Sequence, residues 1–307
     1  MFERHLEDNL FDLHRNLKNK TYRHGKYQSF YVNDPKRRHI HKARVADRVI
    51  HHLFYQFLYQ LFDKTFIHDS YSCRLEKGTH RGVDRLEKFT RVVSKNYTRT
   101  CWALKCDVKK FFASVDHGIL FQLLKKQIKE KDILWLLFQV IKSFHSEFGE
   151  GKGIPLGNLT SQVFANIYLN TLDQFVKQKL KVKYYVRYAD DFLLLSDSKE
   201  HLHNLISPIK AFLQNELKLE FHPNKIIFRK LDWGIDFLGY IVLPHYRLPR
   251  TKTKRRILEK IKEKIDLPIF EKSLQSYLGY LSHANTFKLS QRLKNQVWYL
   301  SKSNLQL

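Results

Sequence analysis

The feature that most restricts the structure this sequence can form is a short acidic segment between two apolar runs. Residues 181–188 read KVKYYVRY and residues 192–196 read FLLLS, with Ala189, Asp190 and Asp191 between them. Apolar, β-branched and aromatic runs separated by a short polar segment predict a β-hairpin. Adjacent carboxylates at the tip of a hairpin that belongs to a core repel each other unless a cation neutralises them. The pattern therefore indicates a metal site, and the alternative is that the two aspartates only shape the turn.

A third aspartate ends another predicted strand. Residues 101–108, CWALKCDV, have the apolar character of a buried strand, and Asp107 lies at its carboxyl end. Phosphoryl transfer at a 3′-hydroxyl uses two divalent ions about 4 Å apart, and such ions prefer carboxylate oxygens. If the two predicted strands are sheet neighbours, Asp107, Asp190 and Asp191 can hold both ions.

Helical periodicity accounts for most of the remaining chain. A chain of 307 residues fits two or three subdomains around one cleft. We expect a short amphipathic helix in residues 1–20, a hairpin or loops in 22–41, strands at 226–228 and 235–243, and a hinge at Pro244–Thr253. The longer predicted helices cover residues 43–62, 119–144, 161–180, 199–217 and the basic segment beyond Pro249.

The sequence is strongly basic along its whole length. It contains 55 Lys and Arg against 30 Asp and Glu, a formal net charge of +25. An excess of this size repels itself in a compact fold and indicates a polyanionic partner such as nucleic acid, whereas the alternative is a basic protein that is merely soluble. Cys73, Cys101 and Cys106 form no CxxC pair, and no apolar run approaches the roughly 20 residues of a membrane span. We therefore expect a soluble, intracellular protein without disulfides or structural zinc.

Four segments resemble the motifs of reverse transcriptases and follow one another in that family's order, over roughly residues 36–245. YADD at Tyr188–Asp191 resembles the polymerase signature, and LKCDVKKFFASVDH at Leu104–His117 resembles the segment of the first catalytic carboxylate. GIPLGNLTSQ at Gly153–Gln162 resembles the segment under the incoming nucleotide, and WGIDFLGY at Trp233–Tyr240 resembles the primer grip.

The resemblance implies an α+β fold of the right-hand polymerase type, with a palm made of an antiparallel sheet and helices. Fingers are expected in residues 1–100, the palm in 101–248 with some fingers-associated helices near 118–150, and a helical thumb in 249–307. The implied reaction is the Mg²⁺-dependent addition of deoxynucleoside triphosphates to a primer along a template RNA, which yields cDNA. Since the chain ends soon after the thumb, we expect ribonuclease H, maturase and endonuclease activities to come from other proteins.

The resemblance also assigns roles to single residues. It implies that Asp107, Asp190 and Asp191 are catalytic and hold two Mg²⁺ ions, for which Mn²⁺ is a substitute, with the backbone carbonyl of Val108 as a further ligand. Phe112, five positions after Asp107, corresponds to the aromatic side chain that excludes a 2′-hydroxyl, and a plain core phenylalanine is the alternative.

Further residues are implied to contact the nucleotide and the primer. Lys225 corresponds to a lysine that acts as general acid near the leaving phosphate, and a generic surface lysine is the alternative. The cations of residues 72–86 complement a triphosphate, although a solvated basic face gives the same pattern. The implied nucleotide contacts are Arg74, Lys77, Arg81, Phe112, Leu156, Gly157, Gln162 and Lys225, and the implied primer grip is Phe237, Leu238, Gly239 and Tyr240.

One departure from the common pattern points to a lineage. Leu156 stands between Pro155 and Gly157 where many retroviral and intron-type enzymes carry Gln, and the segment ends in SQ rather than SP. With FANIYLNTLDQFV at 164–176 and YLGYLSHANTFKL at 277–289, this pattern resembles reverse transcriptases of diversity-generating retroelements, in the group II intron-like bacterial lineage. A branched aliphatic residue here is associated in that family with errors at template adenines, because an apolar side chain cannot hydrogen-bond the nucleotide and so removes a check on the nascent pair. The alternative is that Leu156 only packs.

The same resemblance implies partners and leaves rivals. We expect a cytoplasmic ribonucleoprotein of the chain with template RNA, primer and cDNA, and a small, basic, oligomeric accessory protein, without a membrane partner. One rival is another bacterial reverse transcriptase of the retron, defence-associated or intron type, and Leu156 and the SQ ending argue against the intron form. The other rival is a non-catalytic RNA-binding scaffold of the same fold, which the three intact aspartates disfavour.

Overall fold

Helices surround three small antiparallel sheets in the computed structural model, which describes residues 2–33, 36–264 and 270–303. The helices are α1 (Leu6–Lys18), α2 (Val45–Phe62), α3 (Thr79–Val93), α4 (Phe111–Ser114), α5 (His117–Gln127), α6 (Lys131–Ile141), α7 (Leu159–Gln174), α8 (Lys199–Asn204), α9 (Ile206–Leu217), α10 (Thr251–Lys264), α11 (Phe270–Ser282) and α12 (Phe287–Ser303). The strands are β1 (Gln28–Val32), β2 (Arg38–Lys42), β3 (Trp102–Asp107), β4 (Tyr185–Tyr188), β5 (Asp191–Ser196), β6 (Ile227–Lys230), β7 (Ile235–Phe237), β8 (Tyr240–Leu243) and β9 (Tyr246–Pro249).

The central sheet has four strands in the order β4-β5-β3-β6, and every neighbouring pair is antiparallel. Side chains alternate between the faces of a strand, and on β3 Leu104 and Cys106 pack into the larger core, whereas Ala103 packs into a second core. The larger core is completed by α5, α7 and α9, and the second by α3, β7 and β8. Because both faces are covered, these strands are almost continuously apolar rather than alternating.

The predicted strand over 235–243 is wrong in one respect: it is two strands joined by a tight turn. β7 and β8 pair antiparallel with Phe237 opposite Tyr240, so only Leu238 and Gly239 form the turn. Both have positive φ, 48° and 95°, as a two-residue turn of type I′ requires. The apolar run concealed this turn because Leu is rare at positive φ. β9 was not predicted, and it completes the three-stranded sheet β7-β8-β9.

Three predicted helices have different bounds from those expected. The pattern of 119–144 divides into α5 and α6, and that of 199–217 divides into α8 and α9. α7 begins at Leu159 and continues into a π-helical turn at Phe175–Lys179. The segment 22–41 contains β1 and all of β2 except its last residue, Lys42, and its Pro35 lies outside the described residues.

The carboxyl-terminal helices α10, α11 and α12 pack around a small separate core. This confirms the expected helical segment after Pro249, although residues 265–269 and 304–307 lie outside the described residues. Within the described residues, no helix is both long and apolar enough to span a membrane. The buried members of this core are Ile257, Ile261, Leu274, Leu281 and Leu293.

Candidate active site

The strand register brings the three predicted carboxylates together. Asp107, the last residue of β3, lies directly opposite Asp191, the first residue of β5. Tyr188 pairs with Asp191 across a two-residue turn, which places Asp190 at the tip of the β4–β5 hairpin. The expectation that the two acidic segments are sheet neighbours is therefore confirmed.

Burial and mutual repulsion make this cluster suited to a cation. Burial and then the charge of Asp107 raise the pKa of Asp190 to about 6. Burial likewise raises the pKa of Asp191, whose Oδ1 atom is buried without a hydrogen-bond partner. Each feature is unfavourable for the protein alone and is relieved by a divalent ion, because the ion neutralises the charges and uses the unsatisfied oxygen. The residues present thus fit the metal ions that the sequence predicted.

Two lysines form ion pairs with carboxylates of the cluster in this structure. The Nζ atom of Lys225 lies 2.8 Å from Asp107 Oδ2, and that of Lys105 lies 3.1 Å from Asp191 Oδ2. Among the described residues, no group of three or more His, Cys, Asp or Glu side chains is assembled as a metal site in this arrangement. A cation bound through these two Oδ2 atoms would compete with the lysines for them.

Lys105 was not predicted, although the sequence contains a signal for it. It lies two residues before Asp107 on the same strand, so both side chains share one face of the sheet. Its Nζ atom also donates to the backbone carbonyl of Asp236 on β7, at 3.0 Å. Lys105 thereby connects a carboxylate of the site to β7, the strand that carries the first predicted primer-grip residue.

The backbone carbonyl of Val108, the predicted further ligand, faces the edge of β3 that carries Asp191. The neighbouring amide of Lys109 donates to Glu220 O, and His222 N donates to Asp107 O, both at 2.8 Å. The carbonyls of adjacent residues in an extended strand point to opposite edges of that strand. Because the Asp107 carbonyl points toward His222, the Val108 carbonyl points toward the edge that carries Asp191.

A buried arginine supports the hairpin tip from below. The Arg187 side chain is fully buried and makes a two-pronged ion pair with Asp173 on α7, with distances of 2.7 and 2.6 Å. It also donates to Asn166 Oδ1 and, at 3.0 Å, to the carbonyl of Ala189. Ala189 has a φ of 52°, which costs about 1–2 kcal/mol for a residue with a Cβ atom. The bond from Arg187 helps to hold this turn, and therefore Asp190, in place.

The segment predicted to lie under the nucleotide is bonded to the segment of Asp107. Ile154 N donates to Phe112 O at 2.7 Å, which places the loop 153–158 beside the start of α4. Phe112 is partly buried against the larger core, whereas Gln162 is exposed on α7. Gly157 has a φ of 105°, and a Cβ atom there would lie 2.7 Å from Ile40. Only glycine fits this contact between the loop and β2.

The three predicted triphosphate cations have different environments. The Arg74 side chain is only 8% exposed, and its guanidinium bonds to Asp63 and to the carbonyls of residues 67 and 70. Lys77 Nζ donates to His68 O at 3.0 Å, and Arg81 is exposed on α3. Contact of Arg74 with a triphosphate would require its internal bonds to break, whereas Arg81 is accessible.

The predicted primer-grip residues are the β7–β8 turn, Leu238 and Gly239, and the strand residues on either side of it, Phe237 and Tyr240. Phe237 and Tyr240 are fully buried, and the Tyr240 hydroxyl donates to Tyr280 O on α11 at 3.0 Å. The Tyr280 hydroxyl in turn donates to Gly239 O at 3.1 Å. The side chains of Phe237 and Tyr240 are therefore structural, and the turn residues Leu238 and Gly239 are partly exposed.

The fold is that of a right-hand polymerase, as comparison with solved structures confirms. A telomerase from Candida tropicalis in complex with a TWJ fragment of telomeric RNA matches with a TM-score of 0.57 at 12% identity, over 96% of this chain and 58% of that one. A telomerase from Candida albicans in complex with a TWJ fragment of telomeric RNA matches with a TM-score of 0.56 at 13% identity, over 90% and 54%. At such identities the likeness concerns the fold alone.

The sequence comparisons identify the family. Residues 32–242 match the model of the family described as reverse transcriptase (RNA-dependent DNA polymerase), and the chain belongs to that family. YkfC of Escherichia coli is 22% identical over 64% of this chain and 60% of its own length. The group II intron-encoded protein LtrA of Lactococcus lactis is 22% identical over 81% of this chain and 51% of its own length. The chain thus spans about half the length of the curated relatives that it matches.

Proposed function

We propose that this chain is an RNA-directed DNA polymerase whose carboxylates Asp107, Asp190 and Asp191 hold two divalent ions, Mg²⁺ with Mn²⁺ as a substitute. The observation that carries the proposal is the juxtaposition of Asp107 and Asp191 on adjacent strands beside Asp190, whose pKa is raised to about 6. Bound ions of this kind supply activation of the primer 3′-hydroxyl and neutralise the triphosphate. Membership of the reverse transcriptase family supports the same reaction.

The chain's own groups position the reactants. Phosphoryl transfer gives a protein little covalent work, so alignment and charge dominate catalysis. The Val108 carbonyl would supply a further oxygen ligand to the ions, while Arg187 fixes the turn that carries Asp190. Once Lys225 leaves Asp107, its ammonium group is available to protonate the departing pyrophosphate.

Nucleotide selection would depend on residues beside this cluster. The proposed contacts include Phe112, which excludes a 2′-hydroxyl, and Leu156, which replaces a side-chain amide with an apolar group. The proposed subdomains are fingers at 1–100, palm at 101–248 and thumb at 249–307. The bond from Tyr240 to Tyr280 supports a thumb that packs on the primer grip. The remaining proposed nucleotide contacts are Arg74, Lys77, Arg81, Gly157, Gln162 and Lys225.

We further propose that the enzyme serves a diversity-generating retroelement and copies template adenines with errors. Leu156 and the SQ ending support this lineage, and a small basic accessory protein belongs to the same proposal. The relatives named above include an intron-encoded protein, so an intron-type enzyme is the principal alternative. Sequencing of cDNA distinguishes them, because the retroelement enzyme concentrates errors at template adenines and the intron type does not.

Primer extension on an RNA template tests the activity itself. The purified chain should extend a DNA primer with deoxynucleotides only when Mg²⁺ or Mn²⁺ is present, and Asp190→Ala and Asp191→Ala should abolish extension. Each variant should still bind the primer–template, which separates loss of chemistry from loss of folding. If the parent binds RNA but produces no cDNA under these conditions, even with the accessory protein, the scaffold alternative replaces the proposal.

A further inference from the structure

Lys105 is a largely buried cation beside the carboxylate cluster, and no step of the proposed reaction uses it. Its side chain is only 17% exposed, and its Nζ atom lies 3.1 Å from Asp191 Oδ2. The other oxygen of this carboxylate, Asp191 Oδ1, is buried without a hydrogen-bond partner. Within the described residues, Lys105 is therefore the cation that neutralises Asp191 when no metal ion is bound.

A metal ion at Asp191 would make this position of Lys105 unfavourable. Like charges a few ångströms apart repel each other, and the repulsion is poorly screened where both are largely buried. A buried ammonium group without a partner is also strongly unfavourable. Lys105 can therefore leave Asp191 for an ion only if a second acceptor lies within its reach.

Asp236 on β7 provides this second acceptor. β7 lies over the face of β3 that carries Lys105, because Ile235 packs in the same core as Ala103. The backbone carbonyl of Asp236 already accepts a hydrogen bond from Lys105 Nζ at 3.0 Å. The carboxylate of the same residue accepts instead from Arg250 Nε, at 2.5 Å. Lys105 can therefore form an ion pair with Asp236 only after Arg250 has released it.

Arg250 is placed to exchange Asp236 for a phosphate. Its side chain is 37% exposed and that of Asp236 is 44% exposed, so water weakens their ion pair. A guanidinium binds phosphate oxygens in the same two-pronged way as it binds a carboxylate. Arg250 N donates to Gly239 O at 3.0 Å, in the turn predicted as part of the primer grip. Nucleic acid that contacts this turn therefore brings its phosphates beside Arg250.

We propose that Lys105 is a positioning residue that couples binding of the primer–template to binding of a metal ion at Asp191. When a phosphate of the primer–template binds Arg250, the released carboxylate of Asp236 accepts Lys105, and Asp191 becomes available to the ion. Conversely, a bound ion displaces Lys105 onto Asp236 and releases Arg250 for the phosphate. The proposal rests on the proposed polymerase function, because that function supplies both the primer–template and the ion.

Fluorescence anisotropy measures this coupling without catalysis. The full chain is titrated onto a labelled primer–template, without nucleotide, in chelator and in saturating Mn²⁺ at equal ionic strength. The primer ends in a 3′-deoxy residue, so it offers no 3′-hydroxyl to the ion. Mn²⁺ should tighten binding to the parent by at least about 5-fold, the lower end of typical coupling between two sites.

The effect of Mn²⁺ on the nucleic acid alone is measured with a variant that lacks the ion site. Asp107→Asn combined with Asp190→Asn removes two of the three carboxylates and keeps the ion pair of Lys105 with Asp191. The coupling is the tightening by Mn²⁺ in the parent divided by the tightening in this variant. A parent that shows no more tightening than this variant would overturn the proposal.

Two substitutions break the exchange at different points. Lys105→Met and Asp236→Asn should each reduce the coupling to less than about 2-fold, because neither variant can transfer a cation from Asp191 to Asp236. Lys230→Met removes another ion-paired, partly buried lysine, on the neighbouring strand β6, and should leave the coupling unchanged. If either Lys105→Met or Asp236→Asn keeps the coupling of the parent, the proposal is overturned. Failure of the polymerase proposal is separate, because it appears as absence of cDNA from the parent in primer extension.

Discussion

Replacement of Asp190 by asparagine tests whether the carboxylate cluster is held at a cost to folding. Burial and Asp107 raise the pKa of Asp190 from 3.8 to about 6, so the folded protein favours the neutral form. Below pH 3.8 Asp190 is neutral in the folded and the unfolded chain, and the folded protein has its full stability. As the pH rises from 3.8 through 6, that stability is lost, because ionisation of Asp190 is less favourable in the folded state. At pH 7.5 the charged group therefore destabilises the metal-free protein.

The size of the effect follows from the displacement of the pKa. A difference of 1 between the folded and unfolded pKa values corresponds to about 1.4 kcal/mol of folding free energy. The difference of about 2 at Asp190 therefore gives roughly 3 kcal/mol as an upper value for the destabilisation. Asp190→Asn is nearly isosteric and neutral at every pH. It should raise the free energy of unfolding of the metal-free protein by about 1–3 kcal/mol at pH 7.5, equivalent to a Tm increase of roughly 2–8 °C.

Thermal unfolding in chelator at pH 7.5 and pH 5 measures this difference. At pH 5 Asp190 is largely protonated in the folded parent but already largely ionised in the unfolded chain, so the advantage of the variant should fall to roughly half of its value at pH 7.5. Addition of Mg²⁺ at pH 7.5 should stabilise the parent more than the variant, because the ion neutralises the cluster only where the carboxylate remains. The reasoning would be refuted if the variant were less stable than the parent in chelator at pH 7.5, or if its stability differed from that of the parent by the same amount at both pH values.

Three other predictions test separate parts of the structure. Arg187→Met leaves the fully buried Asp173 without a cation and should lower the free energy of unfolding by about 3–5 kcal/mol in urea titrations, whereas Lys109→Met, which breaks an exposed ion pair, should cost less than about 1 kcal/mol. Lys105→Met removes the cation from Asp191 and should lower the Mg²⁺ concentration for half-maximal thermal stabilisation by about 2- to 10-fold; an unchanged concentration would mean that the lysine does not compete with the ion. Leu156→Gln should reduce misincorporation opposite template adenines in sequenced cDNA, and an unchanged error pattern would remove Leu156 as a fidelity determinant.

Local patterns in the sequence were sufficient to predict the carboxylate cluster. The runs around Asp190 and Asp191 have hairpin character, and Asp107 ends a buried strand, so only the pairing of the strands remained to be tested. The interactions that the sequence did not reveal join residues far apart in the chain. Lys225 and Asp107 are separated by 118 residues, and no periodicity indicates such a pair.

Two further features that local sequence patterns did not predict also depend on tertiary contacts. The Leu238–Gly239 turn carries an apolar residue where turns usually carry Asn or Asp, so the strand appeared continuous. Arg187 lies in an otherwise apolar strand, and its partner Asp173 is on a different element, α7. Tertiary packing, rather than local propensity, decides both features.

The most direct test of the account is to count the metal ions bound at the carboxylates. Electron paramagnetic resonance of Mn²⁺ can measure binding to the chain in complex with RNA template, a chain-terminated primer and the matching deoxynucleotide, where no chemistry occurs. The account predicts two tightly bound ions for the parent and loss of at least one in Asp107→Asn, with the complex still assembled. Equal numbers of bound ions in the parent and in Asp107→Asn would contradict it.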